Sequence, residues 1–253
     1  MVVSAAPDPV VVWHDLECGG YRADLALWRE LADAAAEGSH SARVLDLGAG
    51  SGRVTLELAR AGHRLTALDR DERLLAALRE RAGGLAVETI AADARDFELR
   101  RGGFDLCLVP MQTLQLLRGP AERRALFTHA REHLREGGLL ACAIVSDVDE
   151  FDSLDGGLGP SPERTKIGPT LYLSRAVRVR RSRGTITIER ERLIVADGDE
   201  TPAVPEHDVV ELEVLPLDRL GVELTDAGLE PQPIRTIAET EDHSGSEVVI
   251  GRA

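Results

Sequence analysis

The residues with the clearest chemical potential lie in VLDLGAGSGRVTLELARAG, residues 44–62. Gly48, Gly50 and Gly52 recur at every second position where an apolar run gives way to a helical pattern, with Ala49 between the first two. Backbone N–H groups would converge there at a positive helix end with no side chains in the way, so a ligand can lie directly on the main chain. Seventeen residues past Gly52 the next apolar run ends in Asp69, where a carboxylate can accept both hydroxyls of a ribose. A glycine turn followed by an acid at the end of the second strand points to an adenosine-type ligand. Dinucleotide sites favour G-x-G-x-x-G, whereas here the run is G-x-G-x-G with Asp46 two residues ahead of it. An acid at that position repels a pyrophosphate and attracts an ammonium group.

The D-x-G-x-G-x-G run in this setting resembles the class I S-adenosylmethionine-dependent methyltransferases, and the resemblance covers about residues 40 to 146 in order. It implies that Asp46 and the glycine turn hold the methionine portion of S-adenosylmethionine and that Asp69 binds the ribose. It also implies that Asp93, in AADAR, accepts from the adenine amino group, with Ala94 donating from its backbone. Val109, Pro110 and Met111 fall where the family's fourth strand opens toward the methyl group, and Arg70 is placed to lie along the adenine. Bland roles stand beside these: the glycines as a turn with no ligand, Asp69 and Asp93 as turn or helix caps, and Arg70 as an exposed ion pair.

The reaction needs little from the protein beyond holding nucleophile, methyl and sulfur in line and excluding water, so acid–base candidates are sparse. His14 is a weak candidate for a general base, and Tyr21 for a contact to the methionine carboxylate. Packing is the competing role for each. His129 and His133 stand at i, i+4 on a helical stretch, but that helix belongs on the outer face of the sheet, and no metal is expected. Nucleic-acid amino-methylating relatives carry an Asn/Asp-Pro-Pro-aromatic run after the fourth strand. Val109-Pro110-Met111-Gln112 lacks both the leading Asn/Asp and the aromatic. A nicotinamide-dependent oxidoreductase is the alternative from another class, disfavoured by Asp46 and by the lack of a Tyr-x-x-x-Lys pair. Leu25 follows Tyr21 and Ala176 follows Tyr172 at the fourth place. A non-catalytic cofactor-binding protein is the other alternative.

The elements that must position these residues alternate from Arg43 to Val145, as in a parallel sheet with crossover helices. Strands are predicted at 43–48, 64–69, 85–92, 104–110 and 139–145, with helices at 52–62, 71–82 and 120–137, the last opened by Pro120 and stopped by Gly137. A further helix, 21–37, precedes the first strand. A loop spans 146–168, followed by period-two strands at 170–180, 185–197 and 207–215, then a helix over 215–229 and strands around 231–238 and 247–251. With the resemblance, the expected fold is α/β: a doubly wound, mostly parallel seven-stranded Rossmann-like sheet with an antiparallel β insert after the fifth strand. Residues 1–40 would be a cap-helix region, 41–146 and 216–253 the cofactor-binding core, and 147–215 a loop plus β lid or, through its free strand edges, a homodimer contact.

Composition narrows the partners. A net charge of −14 and a scarcity of aromatics, 3% of 253 residues, argue against a nucleic-acid partner. The 30 basic residues include a single lysine, Lys166, so lysine chemistry has one candidate. Cys18, Cys107 and Cys142 are widely spaced and odd in number, which suits a reducing compartment. No leader or long apolar span is apparent, so the expectation is a cytoplasmic protein with a small-molecule acceptor and no membrane partner. Residues 164–192 carry nine Lys/Arg against two Glu, read either as a lid attracting an anion or as a solvated hairpin in which Arg178 and Arg180 pair with Glu189.

Overall fold

The computed structural model describes residues 7–36, 38–100, 102–154, 159–197, 204–240 and 243–253. Two compact units emerge: residues 21–147 with 213–253, and residues 1–20 with 148–212.

In the first unit, apolar runs form the parallel strands of one sheet, the central ones largely buried and the one at the sheet edge only partly covered. These are β1 (Arg43–Leu47), β2 (Arg64–Asp69), β3 (Val87–Ala91), β4 (Phe104–Val109) and β5 (Leu134–Ile144). With β11 (Glu230–Ile237) and β12 (Ser246–Arg252) they make a seven-stranded sheet in the order β11-β12-β5-β4-β1-β2-β3. All contacts from β5 through β3 are parallel, and β12 runs antiparallel to both of its neighbours. One apolar cluster joins Leu45, Leu47, Cys107 and Cys142 to Leu126 and Phe127 of α5 (Gly119–His133) and Leu220 of α6 (Leu217–Asp226). A second joins Val44, Leu106 and Ala141 to Trp28 of α2 (Leu25–Ala35) and Leu58 of α3 (Arg53–Arg60). The sheet is therefore covered on both faces, as the alternating strand and helix signals require. The helix α4 (Glu72–Ala82) starts where Asp71 accepts from the Arg73 N–H, a side-chain cap.

Three expectations are corrected here. The crossover helix α5, between β4 and β5, ends at His133, not Gly137, because the chain turns directly into β5. Between the pairs Phe104–Leu134 and Leu106–Leu139, β5 advances five residues for two on β4. Gly137, at φ +74°, serves that irregularity, a role that needs the left-handed region as much as a helix stop does. The N-terminal helix begins at Leu25 and is shorter than 21–37; Glu37 lies outside the described residues. The unit boundary falls at residue 20, not 40, because α1 and α2 pack in different units.

The second unit opens with α1 (Pro9–Cys18), a helix the hydrophobic pattern did not announce but that Asp8 caps and Pro9 begins. Its antiparallel sheet runs β10 (Glu206–Glu213), β9 (Thr185–Ala196), β8 (Thr170–Arg181), β6 (Phe151–Asp152), with β7 (Glu163–Ile167) pairing with β8. Two short strands thus occupy the expected loop, of which residues 155–158 lie outside the described residues. Trp13 of α1 meets Tyr172 edge-on at 5.4 Å, burying α1 on the sheet. The basic stretch is matched by acids: Arg178 binds Asp152 and Glu189, Arg180 binds Asp152, Arg190 binds Glu163, and Arg192 binds Glu17 and Asp208. Arg180 thus pairs with Asp152 in place of the expected Glu189. Among the described residues no helix is long and apolar enough to cross a membrane.

Candidate cofactor site

The carboxyl ends of β1, β2 and β4 lie side by side, so their acids and glycines converge. Leu68 O accepts from Gly48 N at 2.8 Å and Ala49 N at 3.1 Å, fastening the turn to β2. Gly48 (φ +75°) and Gly52 (φ +96°) lie in the left-handed region. Neighbouring side chains fix them as well: a Cβ at Gly48 would lie 2.6 Å from Thr113 Cγ2, and one at Gly52 2.2 Å from Leu78 Cδ1. Their identity is thus set by protein packing in addition to any ligand. Gly50 N donates to Asp69 Oδ2 at 2.8 Å and Asp71 N to Oδ1 at 2.9 Å. Asp69 therefore ties the turn to the start of α4 while keeping lone pairs for further donors, since an ionised carboxylate has about four acceptor positions.

Asp46 is the unusual group. It is 1% exposed; Oδ2 accepts from Thr55 Oγ1 at 2.6 Å, and Oδ1 is buried with no hydrogen-bond partner. Burial pushes its pKa up to about 6; the Thr55 bond and Arg53 pull it down, and Asp69 and Asp24 raise it. An unpartnered carboxylate oxygen in so apolar a setting costs free energy that a cationic donor would recover. An ammonium on an adenosine-type ligand fits that requirement.

Arg53, the first residue of α3, completes the electrostatics without having been singled out in the sequence. Its guanidinium grips both oxygens of Asp24 at 2.6 Å, donates to Tyr21 O at 2.9 Å and sits 5.2 Å from the Tyr21 ring. Trp28 Nε1 donates to Asp24 at 2.8 Å, so the whole segment 21–28 is locked to the residue that follows the glycine turn. The only available signal was a charged residue directly after Gly52, and its partner 29 positions earlier could not be chosen from the sequence.

The remaining expected residues divide. Tyr21 is 8% exposed, packs against His243 at 5.0 Å, and has its phenol pKa raised by burial and by Asp24. His14, half-buried on α1, belongs to the other unit, so the two weak catalytic candidates fall in different units. Asp93 accepts from Arg95 N at 2.9 Å, Nε at 2.9 Å and Nη2 at 2.6 Å, and the Arg95 side chain chiefly lowers its pKa to about 2. The turn-cap role left open for Asp93 is therefore built, and an adenine amino group would share the carboxylate with Arg95. Ala94 packs on the core cluster, and Arg70 is exposed, its charge also lowering the Asp93 pKa. Val109 and Pro110 are buried at the end of β4, and Met111 follows at φ +56°, a rare conformation for a side chain of this size. His129 and His133 instead pack on Phe97, with ring centroids 5.4 and 4.9 Å away, and His133 Nε2 accepts from Leu99 N.

Residues 44–138 match the family model described as a methyltransferase domain. Over 55 residues the chain is 49% identical to the ribosomal RNA small subunit methyltransferase A of Deinococcus radiodurans, covering 22% of this chain and 19% of that protein. It is 33% identical over 113 residues to the cypemycin N-terminal methyltransferase of a Streptomyces species, 45% of each. The chain thus spans less than half the length of these curated relatives. The fold is that of the sugar N-methyltransferase KedS8 from Streptoalloteichus, with a TM-score of 0.73 at 18% identity over 100% of this chain and 96% of that one. The matched stretch holds the glycine turn, Asp46, Asp69 and the end of β4, while the acceptors these proteins are named for differ. Residues 44–138 are therefore similar to a methyltransferase domain, and the chain as a whole shares its fold with a solved methyltransferase.

Proposed function

We propose that the protein transfers the methyl group of S-adenosylmethionine to nitrogen or oxygen of a small-molecule acceptor. The observation that carries this reading is the buried, unpartnered oxygen of Asp46 beside the glycine turn, which suits a cationic amino-acid nucleoside. When bound, the cofactor supplies the electrophilic methyl group. Asp46 holds the ammonium, the backbone of Gly48, Ala49, Gly50 and Gly52 lies along the methionine and ribose, and Asp69 accepts from the ribose hydroxyls. Asp93 and Ala94 face the adenine edge, Arg70 lies along its ring, and Val109, Pro110 and Met111 border the methyl. An amine acceptor needs only to lose a proton, so no side-chain base is required for it; a hydroxyl acceptor would call on His14, with Tyr21 contacting the methionine carboxylate.

The acceptor is small in this reading: the net charge of −14 opposes a phosphate backbone, and the segment after β4 lacks the base-holding run. The fold shared with a sugar N-methyltransferase makes amines the first panel to test. The 147–215 insert leaves the chain after β5, at the carboxyl edge where ligands bind α/β sheets, and serves as the lid over the acceptor. Its edge strand β10 is the surface we assign to a homodimer, and the protein's place is the cytoplasm.

Titration calorimetry with S-adenosylmethionine, S-adenosylhomocysteine and NADH tests the cofactor. Heat with the first two and none with NADH supports the reading, and the reverse overturns it. Transfer of radiolabelled methyl across amine and hydroxyl panels then identifies the acceptor atom; a tight complex with no methyl loss on any acceptor would favour a non-catalytic binder. Deleting 148–212 abolishes turnover while leaving cofactor binding measurable if the insert is the lid.

A further inference from the structure

Gln115 is 1% exposed, in a short 3-10 turn (Thr113–Leu116) that follows Met111. Its Oε1 accepts from Val145 N at 2.8 Å, and its Nε2 donates to Val145 O and to Glu213 O, both at 3.0 Å. These are backbone groups at the two places where the chain leaves the core unit, after Asp147, and returns to it, at Glu213. One buried amide thus staples both crossings. The returning crossing is held again by its own side chain, because the Glu213 carboxylate accepts from Gly119 N and from Arg123 Nη1, both at 2.7 Å. Arg123 is fully buried and grips Glu223 through Nε and Nη2 at 2.8 Å.

The same segment reaches the glycine turn at its other end. Thr113 donates to Pro110 O at 3.1 Å, and its side chain fills the space that a Cβ on Gly48 would need. Between these anchors Met111 is kept at φ +56°, a strain that persists only where surroundings over-determine the backbone. An apolar residue of equal volume at position 115 would fill the space but leave two carbonyls and one N–H unpaired in a buried site. Packing alone does not call for glutamine there.

We propose that Gln115 is a positioning residue through which occupancy of the glycine turn is transmitted to both crossings of the insert. With a nucleoside on Gly48–Gly52, Thr113 is held in place, the 110–118 segment stiffens, and the backbone at 145–147 and 213–215 stiffens with it. This deepens the methyltransferase reading and rests on it: a lid can respond to cofactor only if its crossings sense that cofactor.

Hydrogen exchange of the full-length protein with and without S-adenosylhomocysteine tests the proposal. In the wild type, saturation should slow exchange about tenfold at residues 46–53 and also at 145–147 and 213–215. In Gln115→Met, binding heat and protection of 46–53 should persist while ligand-dependent protection of the crossings is lost. Should that variant fail to fold, Thr113→Ala cuts the other end and should give the same result. Protection of the crossings that survives either substitution, or that is absent from the wild type despite binding heat, overturns the inference. Absence of binding heat in the wild type overturns the cofactor reading instead, which keeps the two failures distinct.

Discussion

Two acids, one in each unit, meet burial in opposite ways. Asp46 in the core has one hydroxyl partner and a bare oxygen, and burial raises its pKa to about 6. Glu17 in the insert unit is also pushed upward by burial. It accepts, however, from Ser174 Oγ at 2.7 Å and from Arg192 Nε and Nη2 at 2.7 Å, with Arg190 nearby, so its pKa falls below the usual range. A carboxylate that builds structure is supplied with cations by its own chain. One that awaits a ligand is left short of them, and the fold bears the cost. The same contrast separates the unit's paired arginines from the turn at Gly48.

The contrast can be broken by substitution. The largest effect expected is that of Asp46→Asn, which should weaken S-adenosylhomocysteine binding on the order of 100-fold, the cost of losing one buried charge-assisted bond. It should also raise the melting temperature at pH 8, because Asn removes a buried charge worth about 3 kcal/mol of destabilisation above pH 6. Calorimetry and thermal melts read both; unchanged affinity would place the ammonium elsewhere. Next is Glu17→Gln, expected to destabilise the protein by about 2 kcal/mol by leaving Arg190 and Arg192 short of charge in a partly buried site. A denaturant midpoint measures this, and no change would reduce the cluster to surface decoration.

Stability against pH sharpens the comparison, since the two acids have opposite signs. Asp46, raised when folded, favours the native state below its unfolded value of 3.8, and that contribution is lost as pH rises toward 6. Glu17, lowered when folded, contributes above 4.5, and that contribution is lost as pH falls through its folded value. Wild type minus Asp46→Asn should therefore decline between pH 4 and 6, and wild type minus Glu17→Gln should rise over the acid range. Smaller still, Met111→Gly should raise stability by about 1 kcal/mol by releasing the left-handed strain, while Met111→Ala should not. Equal melting temperatures for the two would show that no strain is stored there.

The cofactor half was legible because its logic is local. Asp46 through Gly52 is one turn, and Asp69 follows at the end of the next apolar run; contiguous residues of strong conformational preference placed both. The α1 helix escaped a reading based on apolar period because it is apolar along much of its length, although Asp8 and Pro9 marked its start. Gly137 read as a helix stop because a left-handed glycine looks alike after a helix and within an irregular strand; only the pairing with β4 separates them. Asp93 shows the opposite difficulty: an acid after the third strand is legible, but whether Arg95, two residues on, takes its carboxylate depends on side-chain rotamers the sequence does not encode locally.

The sequence by itself determined the strand and helix alternation, the glycine turn and the acids at the ends of β1 and β2, since each depends on neighbours within a few residues and on periodicity. Only the tertiary structure decided that Asp46 would lack a partner, that Arg53 would be held by Asp24, and that Gln115 would span Val145 and Glu213. Those outcomes depend on which distant groups meet in a space too small and too dry for water to substitute, and chain order carries no local record of such meetings.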